Sequence, residues 1–498
     1  PAFSPTGDCR PFSDRADGTI IGEGVGMLAL RRLEDAERDG NRIYAVIRGL
    51  GASSDGRATS VYAPRPQGQA LALERAYAQA GYAPSTVELV EAHGTGTVAG
   101  DAAEVASLRR VFDPDGAVTA SQPWCALGSV KSQIGHTKAA AGSAGLIKTV
   151  LALHHRILPP TIKIDRPNPR LGLSDSPFYL NTQARPWIRA DDHPRRASVS
   201  AFGFGGSNFH VTLEEYRGPL AADRIRHLPA ELVLFSSSSP QALAERIRTV
   251  AGRLSHSPLA QVARDACTSF EPDDPHRLAI VASDETDLRV RLEAALDRIE
   301  RNVPASTPMP GAFWGEGLAA EGRVAFLFPG QGSQYVNMGA DLAMAFDECR
   351  ATWDAAATVK AQDGQPLHRV VCPPPAFTDD DRRAQEATLT ALEHAQPAIA
   401  MASLAQLALL DAVGLRADCT LGHSFGEVMA LHAAGVFDAA QALAIADRRG
   451  RLMADAAAGH DGAMIAVPLA RVEIDRRLAS WQSDLVVAND NAPAQVIL

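Results

Sequence analysis

The segment G-H-S-F-G at residues 422–426 constrains the fold of this chain most, because it predicts a strand, a sharp turn and a helix in direct succession. Glycine at 422 and at 426 leaves out side chains where the backbones of strand and helix crowd together. The turn exposes the hydroxyl of Ser424, and the dipole of a helix that begins at Ser424, with the Phe425 N–H, favours a negative charge there. Such a nucleophile elbow is typical of α/β folds. A glycine-flanked helix start with a capping serine is the alternative interpretation of the pentapeptide.

Two other segments extend this predicted serine site. P-G-Q-G-S-Q at residues 329–334 follows the apolar strand V-A-F-L-F, so Gln331 is expected beside the elbow as a second oxyanion donor. Loss of one such donor typically costs about 3–4 kcal/mol in the transition state. Further along, Arg449 in D-R-R-G-R-L-M is predicted on a helix, where a guanidinium can bind a carboxylate through two parallel hydrogen bonds. Taken alone, Arg449 is more often a solvated helix residue.

A second group of motifs lies in the first 215 residues. E-A-H-G-T-G-T around His93 follows a predicted strand, Val87–Glu91, and G-S-V-K-S-Q-I-G-H ends at His136, just before a predicted helix rich in small residues. The N-terminal dipole of that helix disfavours an imidazolium, so His136 is expected to stay neutral. A neutral ring can donate one N–H to a developing enolate oxygen, and two such donors suit decarboxylative condensation. A single histidine in either position is more often structural.

The order and spacing of these motifs resemble two enzyme families. G-Q-G-S-Q, G-H-S-F-G-E and R-G-R-L-M are similar to the malonyl-type acyltransferases of fatty acid and polyketide synthases. H-G-T-G-T, G-S-V-K-S-Q-I-G-H and G-F-G-G-S-N resemble the C-terminal half of a β-ketoacyl synthase of the thiolase fold. Together they indicate a type I polyketide synthase. The sequences of several segments are similar to those of iterative synthases of the polyunsaturated fatty acid, enediyne or glycolipid kind.

The acyltransferase resemblance assigns roles to five residues of this chain. It implies that Ser424 is the acylated nucleophile and that Gln331 and the Phe425 amide form the oxyanion hole. Arg449 then binds the malonyl carboxylate, and Gln396 in A-Q-P-A matches a position of the same pocket.

The general base of that family is a histidine roughly a hundred residues after the serine, in the order known from other elbow enzymes. Neither His432 nor His460 has a matching context, and His460 is interpreted as a loop residue. We therefore expect the base to lie beyond Leu498.

The synthase resemblance implies that His93 and His136 are the catalytic histidines and that Lys131 is the active-site lysine. Phe204 corresponds to the phenylalanine that gates the acyl pocket. Two carboxylates in G-D-A-A-E match a structural element of the family rather than its chemistry, namely Asp101 and Glu104.

The nucleophile of the synthase family is a cysteine in an A-C-S-S context upstream of H-G-T-G-T. Only Cys9 precedes His93, and its context matches a later part of the domain. Cys267 in D-A-C-T-S is a superficial match on a predicted linker helix. We therefore expect the condensing cysteine to belong to a missing N-terminal half, and we interpret the chain as a piece of a longer polypeptide.

The predicted fold class is α/β, in three parts. Residues 1–215 are expected to form the C-terminal half of a thiolase-like fold, and residues 216–320 an α/β linker between synthase and acyltransferase. Residues 321–498 are expected to form a partial α/β-hydrolase-like acyltransferase domain, truncated before its catalytic histidine.

Composition excludes several other classes of function. Of 498 residues, 46% are hydrophobic and 21% charged, which is typical of soluble globular protein. The net charge of −10, with acids and bases mixed along the chain, argues against a nucleic-acid surface. No apolar run approaches the length of a membrane span. Six scattered cysteines favour the reducing cytoplasm.

Two weaker motifs do not support a cofactor or a metal. G-E-G-V-G at residues 22–26 is followed by the strand-like M-L-A-L-R-R-L rather than by a helix, which argues against a dinucleotide loop. His154 and His155 have no Cys or carboxylate at zinc-ligand spacing, so no metal site is expected.

The resemblance implies substrates and partners as well. CoA thioesters, above all malonyl-CoA, and the phosphopantetheine of an acyl carrier protein are the expected substrates, with no cofactor bound directly. The synthase part implies a homodimer in the intact protein. Two alternatives stay open: a serine thioesterase or hydrolase fused to another domain, and a non-catalytic scaffold for docking carrier proteins.

Overall fold

A computed structural model gives the fold. It describes residues 2–56, 60, 63–118, 123–189, 193–203, 205–224, 228–317, 322–357, 364–458, 464–481 and 484–498. The synthase-like part contains five helices, α1 to α5, in this description: Leu33–Arg38, Pro66–Ala80, Val98–Phe112, Lys131–Ile134 and Ala141–His155. Its strands, β1 to β8, are Val46–Ser54, Leu89–Glu91, Cys125–Gly128, Ile157–Leu158, Phe178–Leu180, Arg185–Pro186, Arg196–Gly203 and Ser207–Glu214.

Six of these strands form one mixed sheet in the order β1-β8-β7-β2-β3-β5. Strands β7, β2, β3 and β5 run parallel, while β8 pairs antiparallel with both β7 and β1. Successive side chains of a strand point to opposite faces, so Val90 packs with α2 and α3 and Leu89 packs with α5. The sheet therefore lies between two helical layers.

Glycine permits α2 to pack directly on β1. A Cβ on Gly51 would lie 1.8 Å from the Ala72 carbonyl oxygen, and one on Gly49 would lie 2.2 Å from that of Ala76. No side chain fits at either position, so the helix backbone rests on the strand backbone.

The segment after G-E-G-V-G corrects one expectation. The strand predicted for M-L-A-L-R-R-L is wrong, because residues 27–32 have no regular structure and α1 begins at Leu33. Val25, Met27 and Leu30 are 91%, 88% and 71% exposed. An apolar strand needs a neighbour that covers it, and the described residues provide none here.

The linker part is a small α/β unit with its own core. Its elements are β9 (Glu231–Ser237), α6 (Pro240–Arg253), α7 (Leu259–Thr268), β10 (His276–Ala282), α8 (Glu285–Glu300) and β11 (Ala312–Glu316). The strands form an antiparallel sheet in the order β11-β10-β9. All three helices contribute buried aliphatic side chains to the core below it.

The acyltransferase-like part is mainly helical around a parallel strand pair. Its helices, α9 to α16, are Ala340–Ala345, Asp347–Ala356, Leu367–Val371, Asp379–Thr390, Leu392–Ala412, Gly426–Ala433, Ala439–Ala457 and Arg471–Trp481. Its strands, β12 to β16, are Ala325–Phe328, Cys419–Gly422, Ala466–Val467, Asn489–Ala492 and Gln495–Ile497. Strand β12 pairs parallel with β13, and the last three strands form a separate antiparallel sheet.

A buried arginine links the first part of the chain to the third. The Arg195 guanidinium donates to both carboxylate oxygens of Asp354 on α10, each at 2.7 Å. It also donates to both oxygens of Glu215, at 3.1 and 2.9 Å, and its Nε donates to the Trp187 carbonyl at 2.6 Å. Every nitrogen of this side chain is thus used inside the protein, and the ion pairs fix α10 against the synthase-like sheet.

Asp354→Ala tests this link. Removing one partner of a buried ion pair costs about 3–5 kcal/mol when the other charge is left without compensation. The Arg195 side chain is only 1% exposed but keeps its ion pair with Glu215, so urea unfolding is expected to show a smaller loss of stability, about 1–3 kcal/mol, from the unsatisfied Nη2 donors. Asp297→Ala is the control, since its pair with Arg301 is exposed and costs less than about 0.5 kcal/mol. Equal decreases in the free energy of unfolding in the two variants would contradict the proposed role of the Arg195–Asp354 pair.

Two candidate active sites

The first site lies at the ends of two adjacent parallel strands. His93 follows β2, and His136 follows α4, which begins three residues after β3 ends. Parallel strands end at the same edge of a sheet, so the two turns meet, and the ring centroids of His93 and His136 are 5.2 Å apart. The Nζ of Lys131 donates a hydrogen bond to the His93 carbonyl. The structure therefore brings together the two histidines and the lysine that the sequence proposes for this site.

Both imidazoles of the first site are held in the neutral form. Burial, and then the charges of Lys131 and Lys138, lower the pKa of His136 to about 4. Burial is also the main reason why the pKa of His93 lies well below its usual value. The low pKa of His136 thus agrees with the neutral ring that the sequence predicts, and a 3₁₀ turn, Lys138–Ala140, separates His136 from α5.

One hydrogen bond selects the tautomer of His136. Its Nδ1 accepts a hydrogen bond from the Lys138 backbone N–H at 3.1 Å. A neutral ring that accepts at Nδ1 carries its proton on Nε2, so Nε2 remains as a donor. The Nδ1 of His93 is buried and has no partner among the described residues.

Buried carboxylates shape the turn that carries His93. Glu104 accepts the N–H groups of His93 and Gly94, both at 2.7 Å, and Asp101 accepts that of Phe12 at 2.7 Å. Burial raises the pKa of both carboxyls to about 7. Each carboxyl group accepts hydrogen bonds from backbone N–H groups, as expected for the structural role that the resemblance implies.

Glu91 is a supporting residue that the sequence did not single out. Its two carboxylate oxygens accept the Val130 N–H at 2.6 Å and the Lys148 Nζ at 2.7 Å. A Cβ on Gly145 would lie 3.2 Å from Cγ of Glu91, so α5 packs tightly on this strand. The signal was a glutamate at the last position of a buried strand, one residue before A-H-G-T-G-T.

Neither cysteine considered from the sequence resembles a nucleophile. The buried Cys9 thiol donates to the Thr95 carbonyl at 3.3 Å, and burial raises its pKa. Cys267 lies on α7 of the linker, donates to the Leu232 carbonyl at 3.1 Å and also has a raised pKa because of burial. A thiolate is required for nucleophilic attack, and both environments favour the thiol.

The predicted acyl-pocket residue, Phe204, lies outside the described residues. Its neighbour Phe202, at the end of β7, has its ring centroid 6.0 Å from that of His93. This part of the strand therefore borders the histidine pair.

The second site is built around Ser424, between β13 and α14. Ser424 has a φ of +54°, a left-handed conformation that is unusual for a residue with a side chain. A Cβ on Gly422 would lie 2.1 Å from the Gly426 carbonyl carbon, and one on Gly426 would lie 2.1 Å from the Phe328 carbonyl oxygen. These contacts explain the glycines of G-H-S-F-G. The helix begins at Gly426, not at Ser424 as expected, because the Gly426 N–H closes a turn onto the His423 carbonyl at 2.9 Å.

Strand pairing places the P-G-Q-G-S-Q loop beside the serine. Phe328, the last residue of β12, pairs with Gly422, so both chains leave the sheet at the same level. A Cβ on Gly330 would lie 3.2 Å from the Ser424 Cβ, and Gln331 is the next residue. The backbone N–H groups of Gln331 and Phe425 have no internal acceptor in the described part of the chain. Two free amides beside a hydroxyl are what an oxyanion hole requires.

The third predicted feature of this site is the pair of Arg449 and Gln396. The Nη1 of Arg449 on α15 donates to Oε1 of the fully buried Gln396 on α13, at 2.8 Å. Helix α15 also packs against α14, which starts directly after Ser424. A groove of about 500 Å³ beside Arg449 is lined by α15 alone, and Ser424 does not line it.

Neither histidine that follows Ser424 in the sequence is shown as its general base, and no hydrogen bond joins the Ser424 hydroxyl to a histidine among the described residues. His432, at the end of α14, is bound through Nδ1 to the Phe437 carbonyl at 2.9 Å. His460 lies outside the described residues. The described side chains also contain no group of three His, Cys, Asp or Glu residues placed to hold a metal ion.

Family models match most of the chain. They are the β-ketoacyl synthase N-terminal domain at residues 1–36, the β-ketoacyl synthase C-terminal domain at 44–165, the ketoacyl-synthetase C-terminal extension at 167–281, and the acyl transferase domain at 325–498.

Curated relatives match the whole chain. The chain is 37% identical to a polyunsaturated fatty acid synthase polypeptide of Thraustochytrium sp., over 100% of this chain and 19% of that protein. It is 38% identical to the polyketide synthase GfsA of Streptomyces halstedii, over 99% of this chain and 6% of that protein. Among solved structures, the ketosynthase from module 6 of the bacillaene synthase of Bacillus subtilis 168 has 34% identity and a TM-score of 0.42, over 63% of this chain and 52% of that one.

The chain belongs to the type I polyketide synthases, in which a β-ketoacyl synthase is joined to an acyltransferase. The predicted family and the α/β fold class, with a thiolase-like synthase part, are thereby confirmed. The chain spans about a fifth or less of the length of these two curated relatives. None of the helices in the described ranges is long and apolar enough to cross a membrane.

Gly330→Ala tests the geometry of the serine site. The added methyl group would lie 2.5 Å from the His423 carbonyl oxygen and would displace the loop from Ser424. Loss of one oxyanion donor lowers the rate of acylation by about 100-fold or more. Active-site labelling with an acyl-CoA measures this rate. Gly252→Ala is the control because a Cβ there meets no atom within 4 Å. A Gly330→Ala protein that acylates normally would contradict the proposed donor.

His210 provides a test by pH. This ring is fully buried on β8, its Nδ1 is 3.0 Å from the Ser200 Oγ, and burial lowers its pKa to about 3. The unfolded imidazole has a pKa of about 6.5. Between these two pKa values the imidazole is protonated in the unfolded state but not in the folded state. The free energy of unfolding therefore falls as pH falls, by up to about 1.4 kcal/mol per pH unit.

Urea unfolding from pH 7 to pH 5 measures this effect. His210→Asn is expected to flatten the slope of stability against pH, whereas the exposed His256→Asn keeps the wild-type slope. Identical slopes for wild type and His210→Asn would show that His210 is not held neutral by the fold.

Proposed function

We propose that, within the intact synthase, this chain performs two acyl-transfer reactions. Ser424 takes a malonyl group from malonyl-CoA and passes it to the phosphopantetheine thiol of an acyl carrier protein. The synthase part, through His93 and His136, then supports the decarboxylative condensation of carrier-bound malonyl with an acyl chain on a cysteine. The domain limits proposed for these roles remain 1–215, 216–320 and 321–498.

The observation that carries the malonyl proposal is the Arg449–Gln396 pair. Only Nη1 of the guanidinium is bound, to the Gln396 oxygen, and its other donors have no partner among the described residues. A guanidinium fixed at one end and free at the other suits a carboxylate, which it can bind through two N–H groups. Malonyl carries such a carboxylate at the end opposite its thioester, whereas acetyl does not.

In the proposed transfer, the Ser424 oxygen attacks the thioester carbonyl and the CoA thiolate leaves. The Gln331 and Phe425 amides stabilise the negative charge on the carbonyl oxygen. The serine proton passes to a general base that the described residues do not supply, and the thiolate is protonated as it leaves. Transfer to the carrier thiol repeats these steps in reverse.

In the proposed condensation, loss of CO₂ from malonyl leaves an enolate. His136 donates from Nε2, because its Nδ1 is occupied by the Lys138 amide. His93 is positioned by Glu104 through its backbone N–H and by Lys131 through its carbonyl. Neutral donors suit this step since a charged ring would be costly to bury.

The expected partners follow from this proposal. An acyl carrier protein delivers and receives the thioesters, and the synthase part forms a homodimer in the intact enzyme. All six cysteines are unpaired, which supports the reducing cytoplasm as the proposed location.

Arg449→Ala is the experiment that tests the malonyl role. Two charge-assisted hydrogen bonds contribute about 1.5–3 kcal/mol each, so malonyl loading of Ser424 should fall by about 100-fold or more while acetyl loading is unchanged. Mass spectrometry of the acyl-enzyme, formed from either CoA thioester, measures both rates. Arg416→Ala is the control because that side chain is 82% exposed.

The two alternative functions predict different outcomes. A serine thioesterase needs no carboxylate-binding arginine, so Arg449→Ala would leave its turnover intact. A non-catalytic docking scaffold would not acylate Ser424 with either substrate, even in the intact synthase. Either result would overturn the proposed transferase.

A further inference from the structure

A methionine next to the proposed carboxylate site contacts the buried glutamine. The Nε2 of Gln396 lies 3.1 Å from Sδ of Met453, which is one helical turn after Arg449 on α15. The same Gln396 accepts from Arg449 at 2.8 Å. The three side chains therefore form a short hydrogen-bonded series, from Arg449 through Gln396 to Met453.

The direction of these hydrogen bonds is fixed by chemistry. A guanidinium has only donors, so the atom of Gln396 that faces Arg449 has to be the oxygen. The amide nitrogen consequently faces the Met453 sulfur, which is a weak acceptor. Gln396 is fully buried, and a buried N–H without an acceptor is costly. The thioether thus stabilises the one amide orientation that presents an oxygen to Arg449.

Close backbone packing brings this series together. A Cβ on Gly450 would lie 2.7 Å from the Leu392 carbonyl oxygen and 3.3 Å from the Glu393 Cα. Helices α13 and α15 therefore approach each other more closely here than side chains would allow. Met453 also lines the groove beside Arg449 and is 37% exposed, so it is accessible from the groove as well as from Gln396.

We propose that Met453 is a positioning residue for substrate carboxylates: through Gln396 it orients the Arg449 guanidinium. This inference rests on the proposed malonyl transfer by Ser424. Met453 takes no part in bond making, so it is expected to affect the binding of acyl groups that carry a carboxylate and to leave other acyl groups unaffected.

Met453→Leu is the first test, in the intact synthase. Leucine keeps the apolar volume but removes the acceptor for the Gln396 N–H. The KM for malonyl-CoA in acylation of Ser424 is expected to rise about 5- to 10-fold, with kcat changed less than about 2-fold. The kinetic constants for acetyl-CoA are expected to stay unchanged.

Met453→Gln is the rescue variant. Its side-chain carbonyl supplies an oxygen acceptor at a length similar to methionine, so the malonyl-CoA KM should return to within about 2-fold of wild type. Leu452→Gln is the matched control, because it adds the same polar group to the same groove without facing Gln396. It should leave the ratio of malonyl to acetyl loading unchanged.

The outcomes separate this inference from the function on which it rests. If Arg449→Ala abolishes malonyl loading but Met453→Leu behaves as wild type, the positioning role is wrong and the transferase stands. Equal losses in Met453→Leu and Met453→Gln also overturn the role, since only packing would then matter. If Arg449→Ala loads malonyl normally, the proposed function itself fails.

Discussion

Both candidate sites depend on one constraint, the parallel pairing of two short adjacent strands. Strands β2 and β3 carry the turns that lead to His93 and His136, and strands β12 and β13 carry the turns that contain Gln331 and Ser424. Parallel strands end at the same edge, so segments far apart in the chain meet there. Glycines at the contact points, such as Gly330 and Gly422, let the backbones come close enough for the chemistry proposed.

The two sites differ in the charge of the side chains that are proposed to bind substrate. The synthase site is partly buried, its imidazoles are neutral, and the carboxyl groups of Asp101 and Glu104 accept hydrogen bonds from backbone amides. Donors without net charge suit an enolate that forms in a partly buried site. The serine site is more open, and its proposed carboxylate-binding cation is Arg449, which is hydrogen-bonded to the buried amide of Gln396. In the proposed reactions, the first site therefore stabilises charge that develops in the reaction, while the second binds a charge that the substrate already carries.

Several expectations failed or stayed incomplete for reasons of packing. The helix after Ser424 starts two residues later than expected, at Gly426, because the Gly426 N–H closes a turn onto the His423 carbonyl. The apolar run after G-E-G-V-G predicted a strand, but a strand requires a paired neighbour, which periodicity cannot show. Neutrality of His136 was predicted from a helix dipole alone, and burial, which also lowers its pKa, was not foreseen. Glu91 and Arg195 were missed since a charged residue reveals its partner only once the chain is folded.

The sequence by itself determined the turns, their order and the family, because glycine positions, small residues and nucleophile motifs are properties of consecutive residues. Only the tertiary structure decided which distant side chains meet. Arg449 reaches Gln396 across 53 positions, and Arg195 reaches Asp354 across 159. Such contacts, and the desolvation that sets the pKa of His93, arise from the packing of whole helices and sheets. No local pattern encodes them, since each depends on what the remainder of the chain places beside the residue.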